Sequence, residues 1–333
     1  MQRIIVVYNR RSSQHDMVRR EVLEPLRGLA GVIVGKYEVE RTDVDDNARK
    51  LAMILRDGDI VIAAGGDATG AIAVNGIMCS QRQATLAAFA YGNFNDLART
   101  LGTARLSDVI NIDAGRAGNE NTKNALRGRI MNTVDAKNIF SKNAKIEKMY
   151  PLEVVVDGMK FRDCACYATI GMMAEAVEIF DEQKVRKSLT TNWGRMVGAY
   201  LHLAGWYFRN RSRREFLPEG FTLNGVKQQK GVSDYLAVNG RSMARVMKGG
   251  EDFTQPKRFR SAAVRTVKMW PLASMMMKSM TKGVPGEDTY GDEIVFPSPS
   301  DIEIQAEGEY KKFKQVKKIE IRKNERFIRV VTK

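Results

Sequence analysis

Histidine is almost missing from this chain: His15 and His202 are the only two among 333 residues, too few for a three-histidine metal site. Cysteine is scarce as well. Three residues, with Cys164 and Cys166 separated by one residue, fit neither a disulfide framework nor the usual zinc spacings, and a reducing, cytoplasmic compartment is expected. No G-x-S-x-G stretch offers a hydrolase nucleophile elbow, and no Walker A sequence offers a P-loop. Long apolar runs are also lacking. The longest mostly apolar stretch, 196–208, lies between Arg195 and Arg209 and is interrupted by His202, too short for a hydrocarbon core of about 30 Å. Ile4-Ile5-Val6-Val7 runs straight into Asn9, Arg10 and Arg11, too short for a signal-peptide core, and reads as a strand. Acidic residues are in deficit, 39 against 54 Lys and Arg, which leaves a net charge of +15. Anionic partners are therefore expected: nucleotides, phosphorylated substrates, nucleic acid or an acidic membrane face.

What is present is a core. With 44% hydrophobic residues, the chain has enough apolar surface for two domains. The first part alternates strand and helix: strands over 3–8, 32–40, 60–64 and 85–90, and helices over 16–29, 45–56, 70–78 and 94–101. Ile60 to Ala64 is a continuous apolar run ending in Gly65-Gly66, the pattern of a parallel strand buried on both faces. The series predicts a Rossmann-like α/β domain whose ligands sit at the carboxyl ends of the strands.

Beyond about residue 125 the pattern becomes antiparallel β. Strands are expected over 149–156, after a turn at Asp157-Gly158 over 160–170, and over 233–240 and 262–269, with a helical insertion over 172–208. The chain closes with strands over 302–305, 319–321 and 327–331. A β-sandwich-like C-terminal domain of 129–317 follows, with 1–128 as the nucleotide-binding domain, joined by a last strand within 318–333.

Two glycine turns carry the chemistry. Gly65-Gly66-Asp67-Ala68-Thr69 offers backbone N–H groups to phosphate oxygens, and Asp67 offers a magnesium ligand; the plainer reading is that Asp67 caps a helix beginning near Gly70. After the next strand come Gly92, Asn95 and Asp96, and Asp113 follows another apolar segment, so three carboxylates would converge on one sheet edge. Taken singly, Asp96 also reads as a helix N-cap and Asp113 as a turn residue.

These segments resemble the diacylglycerol kinase catalytic domain superfamily, which includes bacterial lipid kinases, sphingosine kinases and, more distantly, NAD kinases. Tyr8-Asn9-Arg10-Arg11-Ser12-Ser13 is similar to the family's opening strand and turn, and Gly65 to Thr69 to its GGDGT loop. Gly92-Asn93-Phe94-Asn95-Asp96-Leu97-Ala98-Arg99 matches the G-T-x-N-D-φ-A-R segment, Ile112-Asp113 the I-D pair, and Glu307-Gly308-Glu309 falls at D-G-E.

The resemblance implies ATP and Mg²⁺. Asn9, Gly65, Gly66, Ala68, Thr69, Gly92 and Asn95 would line the nucleotide site, Asp67, Asp96 and Asp113 would form the carboxylate network at magnesium with Asp67 as metal ligand, and Glu307 would act as general base on a lipid hydroxyl. Diacylglycerol is the first substrate expected. Ala68 replaces the third glycine; if that position needs a positive φ, its Cβ costs on the order of 1–2 kcal/mol. Ala71-Ile72 replaces the family's Asn-Glu. A catalytically weak or silent lipid- or nucleotide-binding protein therefore stays open beside the kinase.

Peripheral binding to an anionic membrane would use Trp206, Tyr207 and Phe208 beside Arg209, Arg211, Arg213 and Arg214, or the run 270–277 with its methionines, although a solvated basic helix end and core filling read as well for each. Nucleic acid is not an expected partner, for no RNP, zinc-finger or helix-turn-helix signature accompanies the charge. A homodimer stays open.

Overall fold

The computed structural model describes residues 1–29, 31–41, 43–92, 95–103, 106–110, 140, 144–175, 205, 208, 216–228, 231–244, 247–250, 252–266, 268–284 and 286–333. The chain divides into two compact units, one of residues 1–151 and 325–333, the other of 152–324. The expected boundary near 128 lies outside the described residues.

The first unit opens with β1 (Gln2–Tyr8), α1 (His15–Val18), a π-helical turn (Arg19–Leu23), α2 (Glu24–Arg27) and β2 (Val32–Glu38). It continues with α3 (Val44–Ile54), β3 (Ile60–Gly65), α4 (Asp67–Ser80), β4 (Thr85–Ala90), α5 (Asp96–Leu101), α6 (Leu106–Val109) and β5 (Lys145–Met149). The last strand in chain order, β18 (Ile328–Thr332), completes it. The six-stranded sheet has the order β2-β1-β3-β4-β18-β5. All neighbours are parallel except β5, which runs antiparallel to β18. Ile4, Val6, Ile60 and Ile62 enter one core with Val22, Leu26 and Phe89, while Ile5, Val7, Val61 and Ala63 are buried too. Burial on both faces is why the strands read as unbroken apolar runs. Lys145–Met149, placed at sequence level in the second domain, belongs to this sheet by its pairing with β18.

The second unit is antiparallel. Its elements are β6 (Leu152–Val156), β7 (Met159–Cys164), β8 (Tyr167–Gly171), β9 (Thr222–Leu223), β10 (Val226–Lys227), β11 (Asp234–Val238), β12 (Ser242–Met243) and β13 (Met247–Lys248). There follow β14 (Phe259–Val264), α7 (Met269–Lys282), β15 (Glu287–Thr289), β16 (Gly291–Ala306) and β17 (Glu309–Lys323). The main sheet runs β15-β14-β11-β8-β16-β17-β6-β7, with β9 joining β10 to β16. Phe259 of β14 shares a core with Leu152 of β6 and Cys164 of β7, strands at opposite ends of that path, so the sheet folds over on itself as a sandwich does. The pairing of β16 with β17 shifts register between Val295 and Ile302, where Pro297 and Pro299 withhold ladder donors.

Three expected strands differ. The run 149–156 breaks at Tyr150-Pro151, because the proline cannot donate to a ladder, and 160–170 breaks at Ala165-Cys166. The run 262–269 ends at Val264, and Met269 starts a helix instead. The turn at Asp157-Gly158 is present, both residues taking positive φ (48° and 78°) as a two-residue hairpin turn demands. Of the expected helical insertion over 172–208, only 172–175, 205 and 208 are described, all helical.

Candidate nucleotide site

The strand order reverses at β1. From β1 the chain moves outward to β2 on one side, then returns to β3 on the other, and the carboxyl ends of β1 and β3 flank the crevice where open α/β sheets bind ligands. Tyr8 lies level with Ala64, so Asn9 and Gly65 leave the sheet side by side. Asn9 Oδ1 accepts the Arg11 N–H at 2.9 Å and its carbonyl accepts the Ser12 N–H at 3.1 Å, which turns the chain sharply toward α1.

Gly66 is the N-cap of α4 and supplies no side-chain cap. The first bond of the helix runs from the Gly70 N–H to the Gly66 carbonyl at 3.0 Å, so the N–H groups of Asp67, Ala68 and Thr69 have no intrahelical acceptor. With the positive end of the helix dipole, they suit phosphate oxygens. The glycines are demanded by the protein's own packing. A Cβ on Gly65 would stand 2.3 Å from Thr69 Oγ1, and one on Gly92 would stand 2.2 Å from the Gly66 Cα.

The two glycine loops are stitched together. Tyr91 donates its N–H to the Gly65 carbonyl at 3.1 Å. Gly92 and Asn95 exchange hydrogen bonds of 2.7 Å, the Gly92 N–H to Asn95 Oδ1 and Asn95 Nδ2 to the Gly92 carbonyl, with Asn95 held at φ 60°. Asp67 reaches across: Oδ2 accepts the Asn95 N–H at 3.2 Å and Oδ1 the Asp96 N–H at 2.8 Å. Asp67 is thus the first residue of α4 and caps α5, not a helix beginning near Gly70. Asn95, not Asp96, is the N-cap residue of α5.

Burial, and next the charge of Asp96, lift the Asp67 carboxyl to about 6, against the pull of the amides it accepts. Asp96 is itself buried. A divalent cation beside this pair would relieve the repulsion, and the uncapped start of α4 would hold phosphate, so these residues fit a magnesium–nucleotide ligand. Asp113, the third expected carboxylate, lies outside the described residues, as do Asn93 and Phe94. Among the described residues no group of three or more His, Cys, Asp or Glu could hold a metal ion.

Ala68 departs from expectation. It lies in the first turn of α4, is exposed and does not take a positive φ, so its Cβ meets no conformational penalty. Thr69 is buried against Gly65, and Ala71 and Ile72 are buried in the core.

In the second unit, Glu307 and Gly308 form the two-residue turn between β16 and β17, at φ 55° and 83°. A non-glycine residue in that conformation costs on the order of 1 kcal/mol and is held there by its contacts. The Glu307 side chain folds back, is buried, and accepts through Oε1 the backbone N–H groups of Cys166 and Tyr167, the latter at 3.3 Å. Burial, and next the charge of Glu307, push the Cys164 thiol well up, which keeps it inert. Sequence reading missed this clasp; the signal was a glutamate in a position that hairpins give to Asn or Asp. Of the two aromatic and basic candidates, Trp206, Tyr207, Arg209, Arg211, Arg213 and Arg214 lie outside the described residues, and 270–277 lies in α7.

Residues 3–128 match the model of the diacylglycerol kinase catalytic domain. A solved structure described as a diacylglycerol kinase from Bacillus anthracis str. Sterne is similar over 100% of this chain and 97% of its own, with a TM-score of 0.63 at 15% identity. Two further structures of that organism give TM-scores of 0.64 and 0.60 at 14% and 15% identity, with the same coverage. At such identity the likeness shows the two-domain fold. No curated protein matches the sequence.

Proposed function

We propose that this protein is an ATP- and magnesium-dependent lipid kinase that transfers the γ-phosphoryl group to a lipid hydroxyl, with diacylglycerol as first acceptor and phosphatidic acid as product. The observation that carries the reading is the sheet's switch point, where a helix start with no side-chain cap and a second glycine loop are clasped by one carboxylate. Asn9, Gly65, Gly66 and Gly92 would line the nucleotide, and the N–H groups of Ala68 and Thr69 would hold its phosphates. Asp67, with Asp96 and Asp113, would hold the metal, directly or through water. Magnesium, when bound, would neutralise charge developing on the transferred phosphoryl oxygens.

Glu307 would take the hydroxyl proton as the lipid oxygen bonds to the γ-phosphorus and the bond to the β-bridging oxygen breaks, releasing ADP. The product and the net charge of +15 agree with a protein working peripherally on an anionic membrane from the cytoplasm. Among the described residues no helix is long and apolar enough to cross a membrane. The exposed, helical Ala68 weakens the case for a silent binding protein, which rested in part on strain at that position.

The test is transfer of label from γ-labelled ATP, with magnesium, into diacylglycerol, sphingosine, ceramide and total bacterial lipid in anionic mixed micelles. Label in diacylglycerol is expected. Label in none, with no binding of nucleotide, overturns the kinase reading. Asp67→Ala is expected to abolish turnover, and Glu307→Gln to spare ATP affinity while lowering transfer by at least a hundredfold.

A further inference from the structure

In the second unit, α7 exposes three large apolar residues. Trp270 is 79% exposed, Met277 70% and Met280 46%, whereas Ser279, a polar residue, is buried. Trp270 and Met277 are seven residues apart and share one face, with Met280 beside Met277 at i+3.

The flank of that face is basic. Lys278 and Lys282, one turn apart, line with Arg260 a cavity of about 560 Å³ whose other walls include Pro271, Met275 and Val284. Lys268 stands just before the helix. Lys268, Lys278 and Lys282 have no carboxylate within salt-bridge distance among the described residues, and Arg260 shares Asp288 with Arg258. From 253 to 286 the sequence holds seven Lys or Arg and no Asp or Glu. An apolar ridge with an aromatic at one end and cations along one side is the composition that lies in a bilayer interface over anionic headgroups.

We infer that α7 is the element by which this protein docks on an anionic lipid bilayer: Trp270, Met277 and Met280 enter the interface, and Lys278, Lys282 and Arg260 hold a lipid phosphate at the mouth of the basic cavity. The inference deepens the lipid-kinase reading by naming the surface that meets the membrane. Its test is a binding measurement, so either fails without the other.

Wild type, Trp270→Ser/Met277→Ser and Lys278→Gln/Lys282→Gln are sedimented with vesicles of phosphatidylcholine alone and with about one third phosphatidylglycerol, at low and raised salt. Wild type is expected to bind the anionic vesicles, less at raised salt, and only weakly the neutral ones. The lysine pair should lower anionic binding by about 30-fold, since each lysine near such a surface is worth about fivefold. The apolar pair should lower it by about tenfold at any salt. Circular dichroism and melting temperature should match the wild type, because all four side chains are surface residues. Phosphorylation of a short-chain, monomeric diacylglycerol should be unchanged in both variants. Equal anionic binding by wild type and variants, absence of wild-type binding, or equal binding to neutral vesicles overturns the docking role. Loss of phosphorylation in every form, with docking intact, overturns only the kinase reading.

Discussion

A methyl group too many separates the glycine loops from failure, and one too few does little at Ala68. Because a Cβ on Gly92 would stand 2.2 Å from the Gly66 Cα, Gly92→Ala must push the loops apart. A loss of about 2–4 kcal/mol is expected in urea unfolding, together with loss of nucleotide binding by calorimetry. Ala68→Gly, by contrast, restores the family's residue in a turn that is already helical. It should cost about 0.5–1 kcal/mol of stability and leave nucleotide affinity unchanged. A rise in affinity on titration would show that the methyl crowds phosphate after all. The two glycine turns after β3 and β4 were legible in the sequence because their pattern is local. The clasp of Asp67 on α5 was not, since it joins residues 28 and 29 positions apart and depends on how two loops meet.

Lys323 carries a prediction of another kind. At the end of β17 it is buried, donating to Asn239 Oδ1 and to the Asp252 carbonyl at 2.8 Å. Burial lowers its ammonium to about 7, against a weaker pull upward from Asp252. The unfolded chain therefore binds the proton more tightly than the native one between about pH 7 and 10.5. Stability should rise with pH across that window, by on the order of 4 kcal/mol, and stay flat below it as far as this group is concerned. Lys323→Met should flatten the slope of melting temperature against pH between 7 and 10. An unchanged slope would mean that water reaches the ammonium. Nothing in the sequence set this lysine apart from the others of the basic C-terminal run.

At the scale of elements, strands buried on both faces announced themselves, and β1, β3 and β4 lie where apolar runs and glycine punctuation placed them. Elements that answer to partners did not. β5 has the sequence KIEKM, with one buried residue, and is a strand only because β18 offers it a ladder. The helical nature of 269–282 was hidden by proline at its third position, which is well placed in a first helical turn, and by a methionine run that reads as core. Removing residues 325–333 should therefore unfold the first unit outright, with loss of its circular dichroism signal and of nucleotide binding, because β18 leaves a gap between β4 and β5.

On the scale of the whole molecule, the second unit is an uninterrupted insertion into the first, entered at Leu152 and left at Asn324. The two crossings are adjacent, since Met149 pairs with Ile328 on one side and Leu152 with Lys323 on the other. Replacing 152–324 by a short Gly/Ser linker should close the first unit at low entropic cost and leave a folded protein that binds nucleotide but phosphorylates nothing. Failure to bind would show that the nucleotide needs the inserted unit.

The place of β18 between β4 and β5 also dictates a schedule for the ribosome. Strands 1 to 4 emerge early, but their sheet keeps an open edge at β4 while all of 152–324 is being made. Only when 328–332 clear the exit tunnel does that edge find its strand. A stalled or nonsense-truncated product would thus carry a complete inserted unit beside an unfinished first unit, with a bare apolar edge of the kind that chaperones and proteases recognise.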